Sequence, residues 1–554
     1  MRAHAVIRGY MKIINKWPMA SVSSSSLILV TAAFVATFLN TSFFFEAWRA
    51  FDNSATGALF CASLYLSLIS LFVLVLSAVC HRGTVKPCIV AFLILSAIGG
   101  YFTRQYGTVF DYQMMANALE TDTSEARDLL SLGLLLHVSV FGLLPSLVVA
   151  FFPMQRPLWR TETTTRLRLA AGAGATLVMA VLLFSGHYAS MFREHRQLVM
   201  KVTPTYAMYS TIKLAVRSLP ERSRKHQVVG ADALIPATDL HRELVIMVVG
   251  ETVRADHWQL NGYGRETTPR LARENVINFP DFWSCGTSTA HSVPCMFSHL
   301  GRDEFNVTVG QFQDNALDIL KRAGVSVLWR DNNSSSKGVA DRVGYEDFKS
   351  PRLNPSCDHV ECRDEGMLSG LQEHINEQSG DVLIVLHQMG NHGPAYYKRY
   401  PKAFERFVPA CQTNDLGACS SEEIKNAYDN AILYTDHFLS QAIELLKKNS
   451  QKFETAMFYV SDHGESLGEY GVYLHGMPYL MAPKAQKHVP AVIWLGDSIK
   501  HDLILDNIDK KRRHHWSHDN VFATLLGLFE VESAIYNPTR ALLTHKPLQE
   551  AQTE

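Results

Sequence analysis

Residues 284–296 read SCGTSTAHSVPCM, in which Cys285 and Cys295 bracket three hydroxyls (Thr287, Ser288, Thr289) and one imidazole, His291. A hydroxyl is a poor nucleophile unless a base or a metal activates it. Groups able to do so stand at the ends of four apolar runs. ELVIMVVG leads into Glu251, VSVLWR into DNNSSSK, VLIVLHQMGNHGP into His387 and His392, and AMFYVSDHGES into Asp462 and His463. Glu251, Asp462 and His463 together offer two hard oxygens and an imidazole, a ligand set suited to zinc or manganese. One Asp-His pair after a strand is ordinarily a cap and a turn; joined by Glu251 at another strand end, it points to a metal. A fourth ligand is needed, and a hydroxyl from the 287–289 group suits that role. Thr289 stands just before an expected helix, AHSVPCMFSHL, whose N-terminus adds partial positive charge for an anionic intermediate. On the residues alone Thr287 and Ser288 stay rivals, and a capping role is open to all three.

The elements that must position these groups follow from the pattern around them. From residue 241 onward short apolar strands alternate with helical patterns, which predicts a mainly parallel sheet with helices on both faces. Open α/β sheets gather their sites at the carboxyl ends of strands. Four strands ending in metal- or phosphate-competent residues therefore read as one site rather than four loops.

The N-terminal part is different. Up to about residue 186 long apolar runs dominate, and five reach the roughly 17–25 residues that cross a bilayer: 24–45, 58–80, 86–103, 131–152 and 168–186. Gly99 and Gly100 weaken the end of the third. A cleaved signal peptide is a poor reading of the first, since no small-residue cleavage site follows. Cations precede span one (Arg2, Arg8, Lys12, Lys16), join spans two and three (His81, Arg82, Lys86), and join spans four and five (Arg156, Arg160, Arg166, Arg168). Those segments are cytoplasmic by the positive-inside rule, and five spans then place the rest of the chain outside the cytoplasm. The expected organisation is a membrane domain over 1–186 with a helix-bearing loop at about 104–130, an amphipathic linker over 187–240, and a catalytic domain over 241–554. Within the linker, VVGADALIPATD reads as an extended tether.

Of nine cysteines, Cys61, Cys80 and Cys88 lie in or beside spans, while six fall in the exported domain as close neighbours. In an oxidising compartment these predict local bridges, Cys285–Cys295, Cys357–Cys362 and Cys411–Cys419. A four-cysteine zinc site would want C-x-x-C spacing, which is absent. The net charge of −1 argues against a nucleic-acid partner.

GETVRADHWQLNGYGRETTP, CGTSTAHSVPCMFS, DNNSSSKG, HQMGNHGP and SDHGESLGE closely resemble the lipid A phosphoethanolamine transferases, including the colistin-resistance enzymes. The resemblance covers essentially the whole chain, with no departure at a chemical position. It implies an N-terminal all-α membrane domain of five helices and a C-terminal α/β domain of alkaline-phosphatase/sulfatase type, in the bacterial inner membrane and the periplasm respectively. It further implies Thr289 as nucleophile; Glu251, Thr289, Asp462 and His463 as ligands of at least one Zn2+, with a second during turnover left open; and Asn117, Thr121, Glu125, Ser334, Lys337, His392 and His475 as substrate-binding residues. His392 and His475 are suited to acid–base work, Lys337 to a phosphate, and Glu125 to an ammonium.

The implied reaction moves phosphoethanolamine from phosphatidylethanolamine to a lipid A phosphate through a phosphoethanolamine-threonine. Masking that phosphate weakens the binding of cationic polymyxins. Core oligosaccharide or another periplasmic glycan is the alternative acceptor. A sulfatase would need Cys or Ser at the nucleophile position, converted to formylglycine, and here it is Thr289. A binding protein with a decayed catalytic domain would be expected to lack ligands, and none is missing. Asn117, Thr121 and Glu125, spaced by four, predict one polar stripe on a helix, with Asp128 off it.

Overall fold

The computed structural model describes residues 21–51, 55–80, 83–121, 123–155, 157–218 and 225–546. Arg2, Arg8, Lys12, Lys16, His81, Arg82 and Arg156 lie outside the described residues. The chain forms two compact units, Met1–Phe110 with Leu132–Ser210, and Asp111–Ser131 with Thr211–Glu554.

The first unit is helical. Ala55–Val79, Val85–Tyr106, Leu132–Phe151 and Trp159–Leu183 are each long and apolar enough to cross a membrane. The last begins at Trp159, ahead of the span expected from 168, because its polar first turns are held as helix by a Glu162–Arg166 pair at 2.7 Å. The first expected span is a bent pair, Ser24–Leu39 and Thr41–Ala50, meeting at 63°. Its break is built in at Asn40, whose Nδ2 donates to Val35 O (3.1 Å) and Thr203 O (2.9 Å) while its Oδ1 accepts from Thr203 N (3.0 Å). Gly100 does not weaken its helix: a Cβ there would stand 2.7 Å from Leu39 O, so glycine permits the close approach.

One end of this unit brings the start of the helix Val85–Tyr106 and the segment around Val22 against the residues that close and follow Leu132–Phe151. Lys86 Nζ donates to Ala150 O (2.7 Å) and Phe152 O (2.8 Å), and Val22 exchanges backbone hydrogen bonds with Pro153 and Gln155 at 3.0 Å.

In the second unit the eight-stranded sheet is built from β1 (Glu243–Gly250), β2 (Ile277–Trp283), β3 (Ser326–Asp331), β4 (Gly344–Asp347), β5 (Val382–His387), β6 (Glu454–Ser461), β9 (His488–Leu495) and β10 (Trp516–Ser517). A small hairpin, β7 (Ser466–Leu467) and β8 (Tyr473–Leu474), stands apart from it. The order is β10-β2-β9-β6-β1-β5-β3-β4, with β9 antiparallel to both of its neighbours. The adjacent strands β6, β1, β5 and β3 are parallel. Every residue of β1, β5 and β6 is buried, which is why these strands read as continuous apolar runs without alternation. Their shared direction brings Glu251, Asn332, His387 and Asp462 to one edge of the sheet.

Residues 185–218 form three helices, Ser185–Glu194, Arg196–Met200 and Thr205–Ser218. The stretch expected as an extended tether is instead docked on the second unit. Val229, Ala233 and Ile235 pack on its core, Leu234 bridges Glu532, and Asp232 accepts from Ser533 Oγ (2.8 Å) and Ala534 N (2.6 Å). Its apolar residues supply enough surface to hold it there.

Candidate active site

Thr289 is the first residue of the helix Thr289–Met296, with Ser288 as its extended N-cap, so it lies in the helix rather than just before it. The turn around it is tightly bonded. Ser284 Oγ donates to Gly286 O (2.5 Å), Gly286 N to Ser292 Oγ (3.1 Å) and Thr287 Oγ1 to Met477 O (2.6 Å). The Cys285–Cys295 bridge ties this turn to the far end of the helix. Cys357–Cys362 and Cys411–Cys419 are also bonded.

Of the three rival hydroxyls, Thr287's is taken by a carbonyl, and Ser288 lines a neighbouring pocket of about 210 Å³. Thr289 Oγ1 faces the acidic cluster. It donates to Glu251 Oε2 at 3.1 Å and lies 3.4 Å from His463 Nε2.

Each carboxylate in that cluster has one oxygen fixed and one left over. Glu251 Oε2 also accepts from Asn333 Nδ2 (2.7 Å), and Asp462 Oδ1 accepts from the backbone N–H groups of Thr252 (3.1 Å) and His463 (2.7 Å). Glu251 Oε1 and Asp462 Oδ2 are buried without a hydrogen-bond partner. His463 Nδ1 bonds Gly464 O at 2.9 Å, which fixes its proton there and leaves Nε2 as a lone pair, 3.5 Å and 3.3 Å from those two oxygens.

Three acceptors thus converge on one small space, with Glu251, Asp462 and His463 all fully buried. Burial and then the Asp462 charge push the Glu251 carboxyl well up, and burial and then His475 push the His463 imidazole well down. Buried carboxylate oxygens short of donors, beside an imidazole lone pair, suit a cation, and the donor set fits a divalent metal. Cys285, His291 and Cys295 also cluster, but the two sulfurs are joined to each other.

A second group of residues lies beside the first. His475 Nδ1 is 2.7 Å from Glu465 Oε2, and Tyr396 donates to Glu465 Oε1 at 2.7 Å. The His392 and His475 rings are 5.3 Å apart, and Glu125 Oε1 is 3.9 Å from His392 Nε2. The two histidines are pushed in opposite directions. Burial and the His475 charge lower His392, whereas at His475 burial is outweighed by the Glu465 carboxylate.

The expected single stripe is broken. The helix carrying Asn117 ends at Glu120, Thr121 takes extended backbone (φ −61°, ψ 127°), and Glu125 belongs to a second helix, Thr123–Asp128. Thr121 Oγ1 bonds Asn117 O (2.9 Å), while Lys337 Nζ lies 4.0 Å from Glu120 Oε2. Ser334 N and Oγ both bond Asn333 Oδ1, at 2.5 Å and 3.1 Å.

Asn333 and Glu465 are structural partners that the sequence reading passed over, although both lie inside its quoted strings DNNSSSK and SDHGES. Asp128, expected only to lie off the stripe, is held in place on its own account. It is 4% exposed, with Lys398 Nζ and Arg399 Nη2 each 2.5 Å from its oxygens, and Arg399 Nε bonds His392 O at 2.7 Å. Nothing in the local sequence marks that long-range tie.

Residues 68–219 match the family model described as phosphoethanolamine transferase EptA/EptB, and residues 243–531 match the sulfatase model. The chain is 43% identical over 541 residues to the phosphatidylethanolamine transferase Mcr-1 of Escherichia coli, covering 94% of this chain and 97% of that one. It belongs to the phosphoethanolamine transferase family. The phosphoethanolamine transferase EptA of Escherichia coli K12 is 38% identical over 543 residues, again covering 94% and 97%. The solved integral membrane protein lipooligosaccharide phosphoethanolamine transferase A (EptA) from Neisseria meningitidis has a TM-score of 0.91 at 34% identity, covering 95% of this chain and 100% of that one. The chain is accordingly a multi-pass inner-membrane protein with a soluble periplasmic domain of sulfatase type.

Proposed function

We propose that this transferase carries phosphoethanolamine from phosphatidylethanolamine to a phosphate of lipid A, with Thr289 as the covalent carrier. The observation that supports this most is Thr289 Oγ1 at 3.1 Å from Glu251 Oε2, beside two buried carboxylate oxygens that lack partners. A zinc ion held by Glu251, Thr289, Asp462 and His463 would supply charge that makes the hydroxyl a nucleophile at neutral pH.

Thr289, its hydroxyl proton released to water under that charge, attacks the donor phosphorus through Oγ1, and the bond from phosphorus to the diacylglycerol oxygen breaks. His475, biased toward its protonated form by Glu465, donates a proton to that leaving oxygen. His392, biased toward neutrality, suits the base side of the second step. There a lipid A phosphate oxygen bonds to the phosphorus and the Thr289 oxygen leaves. Glu125, beside His392, suits the ethanolamine ammonium. Lys337 and Ser334 suit phosphate oxygens, and Asn117 and Thr121 serve the donor headgroup. The added ammonium and the masked phosphate weaken polymyxin attraction.

Mass spectrometry of lipid A from cells carrying the chain tests this reading. Phosphoethanolamine on lipid A is the expected result. Its appearance only on core sugars, or nowhere, would overturn the assignment.

A further inference from the structure

The short loop that carries His475 has two separate holds. Residues 474–477 leave β8 and meet the turn that precedes Thr289: Gly476 N donates to Thr287 O at 2.7 Å, and Thr287 Oγ1 donates to Met477 O at 2.6 Å. The second hold is one side chain, Gln486. Its Oε1 accepts from Met477 N at 3.2 Å, and its Nε2 donates to Leu474 O at 3.0 Å and to Ser466 Oγ at 2.9 Å. His475 therefore sits between residues that the same amide grips on either side. Its ring centroid lies 4.4 Å from that of His463.

Gln486 is fully buried, and its three bonds use both amide hydrogens and one lone pair of the oxygen. The partners settle which end is which, because Leu474 O only accepts and Met477 N only donates. The base of the side chain has no slack either. Gly464, directly after His463, donates its N–H to Gln486 O at 3.1 Å, and a Cβ at Gly464 would stand 2.0 Å from Ala485 O. Leu474 takes φ 63°, a left-handed conformation unfavourable for leucine that persists where neighbouring bonds enforce it. Glu465 orients the ring of His475; Gln486 sets where that ring is carried.

We propose that Gln486 is a positioning residue for the transfer, fixing the backbone around His475 against the Thr289 turn so that the ring stands where the leaving oxygen takes its proton. The inference rests on the reading of His475 as the proton donor. An apolar side chain of similar length at 486 would leave Met477 N and Leu474 O without this partner and loosen the loop. The side-chain bonds that orient Glu251, Asp462 and His463 involve none of those atoms.

The test uses the full chain in detergent, with bound metal and Tm measured alongside. It follows single-turnover release of the leaving group from two donors, phosphatidylethanolamine and p-nitrophenyl phosphoethanolamine. Nitrophenolate leaves as a stable anion without needing a proton, so a misplaced acid should matter little to it. Gln486→Met should slow release from phosphatidylethanolamine about 10–100-fold, and from the nitrophenyl donor by less than about twofold. If Gln486→Met does not fold, Gln486→Glu, which keeps an acceptor for Met477 N but offers Leu474 O no donor, carries the same test with the same selective loss expected. On a His475→Ala background the substitution at 486 should add less than about twofold, because it acts through that ring. No slowing, equal slowing on both donors, or slowing undiminished on the His475→Ala background would overturn the proposal and leave the role of His475 standing. A His475→Ala protein slowed equally on both donors would overturn the reading of His475 as proton donor, and this inference with it. Leaving-group release does not depend on which hydroxyl carries the phosphoethanolamine.

Discussion

The two ends of β6, β1 and β5 both bury carboxylates, yet they treat them differently. At the carboxyl ends each acid has one oxygen held by a directed donor, Asn333 and Thr289 for Glu251 and two backbone N–H groups for Asp462. The other oxygen is left facing a histidine lone pair. At the amino ends, Glu243 and Glu454 are neighboured mainly by further acids, and the Asp381 oxygen that is tied down accepts a backbone N–H. Burial raises the carboxyls at both ends, and at the amino ends hydrogen bonds between acids, Glu243 with Asp381 and Glu454 with Asp502, answer it with protons. Only the first end also fixes the orientation of its ligands and places a hydroxyl among them at a helix N-terminus. That addition is what the proposed reaction requires of the first end.

The largest expected effect is the loss of that hydroxyl. Thr289→Ala should lower transfer by about a thousandfold or more, as expected when a covalent carrier is removed. The phosphoethanolamine adduct on the 284–296 peptide should vanish from its mass spectrum. Thr287→Ala, which removes a bond to a carbonyl, should cost about 1 kcal/mol of stability and leave the adduct in place. Transfer surviving in Thr289→Ala would break the distinction between the two ends.

The next test divides Glu125 from Asp128, three residues apart on one short helix. Glu125→Gln should fold and keep its metal content while losing most transfer from lipid donor. Asp128→Ala leaves Lys398 and Arg399 without their buried carboxylate and should cost about 3–5 kcal/mol, read as a fall in Tm. If both variants lose activity with unchanged Tm, Asp128 belongs to the site and not to its support.

Asn333→Ala sharpens the role of orientation. It removes the 2.7 Å bond that aims Glu251, so metal affinity should fall about 10–100-fold, measured by competition with a chelating dye, while the fold persists. Unchanged affinity would mean that burial alone orients Glu251.

The sequence was informative where the physics is local. Continuous apolar runs ending in Glu251, His387 and Asp462 announced buried parallel strands with polar residues gathered at their carboxyl ends, and the structure has that sheet. Neighbouring cysteines announced short bridges. What could not be read depended on contacts distant in the chain. Asp128 meets Lys398 and Arg399 across about 270 residues, and no spacing rule reaches that far. The stripe through Asn117, Thr121 and Glu125 failed because spacing by four assumes an unbroken helix, and the backbone turns at Thr121. The row of Asp381, Glu243 and Glu454 was equally hidden, since strand register alone makes them neighbours.

The smallest effect separates two bridges of similar length. Cys285–Cys295 spans 10 residues and Cys411–Cys419 spans 8, so loop closure assigns each about 2.5 kcal/mol. Replacing either pair with serine should therefore lower Tm by similar amounts. Their consequences for transfer should differ. Cys285–Cys295 ties the turn before Thr289 to the far end of the helix that begins there, whereas Cys411 and Cys419 both lie ahead of the long helix Ser421–Asn449. Turnover of the Cys285→Ser/Cys295→Ser protein, measured well below its lowered Tm, should fall several-fold, because a small displacement of Oγ1 from Glu251 and His463 is costly. The other pair should keep its turnover at that temperature. Equal turnover in the two variants would mean that the hydrogen bonds of Ser284, Gly286 and Thr287 already hold Thr289, leaving the bridge a stabiliser and nothing more.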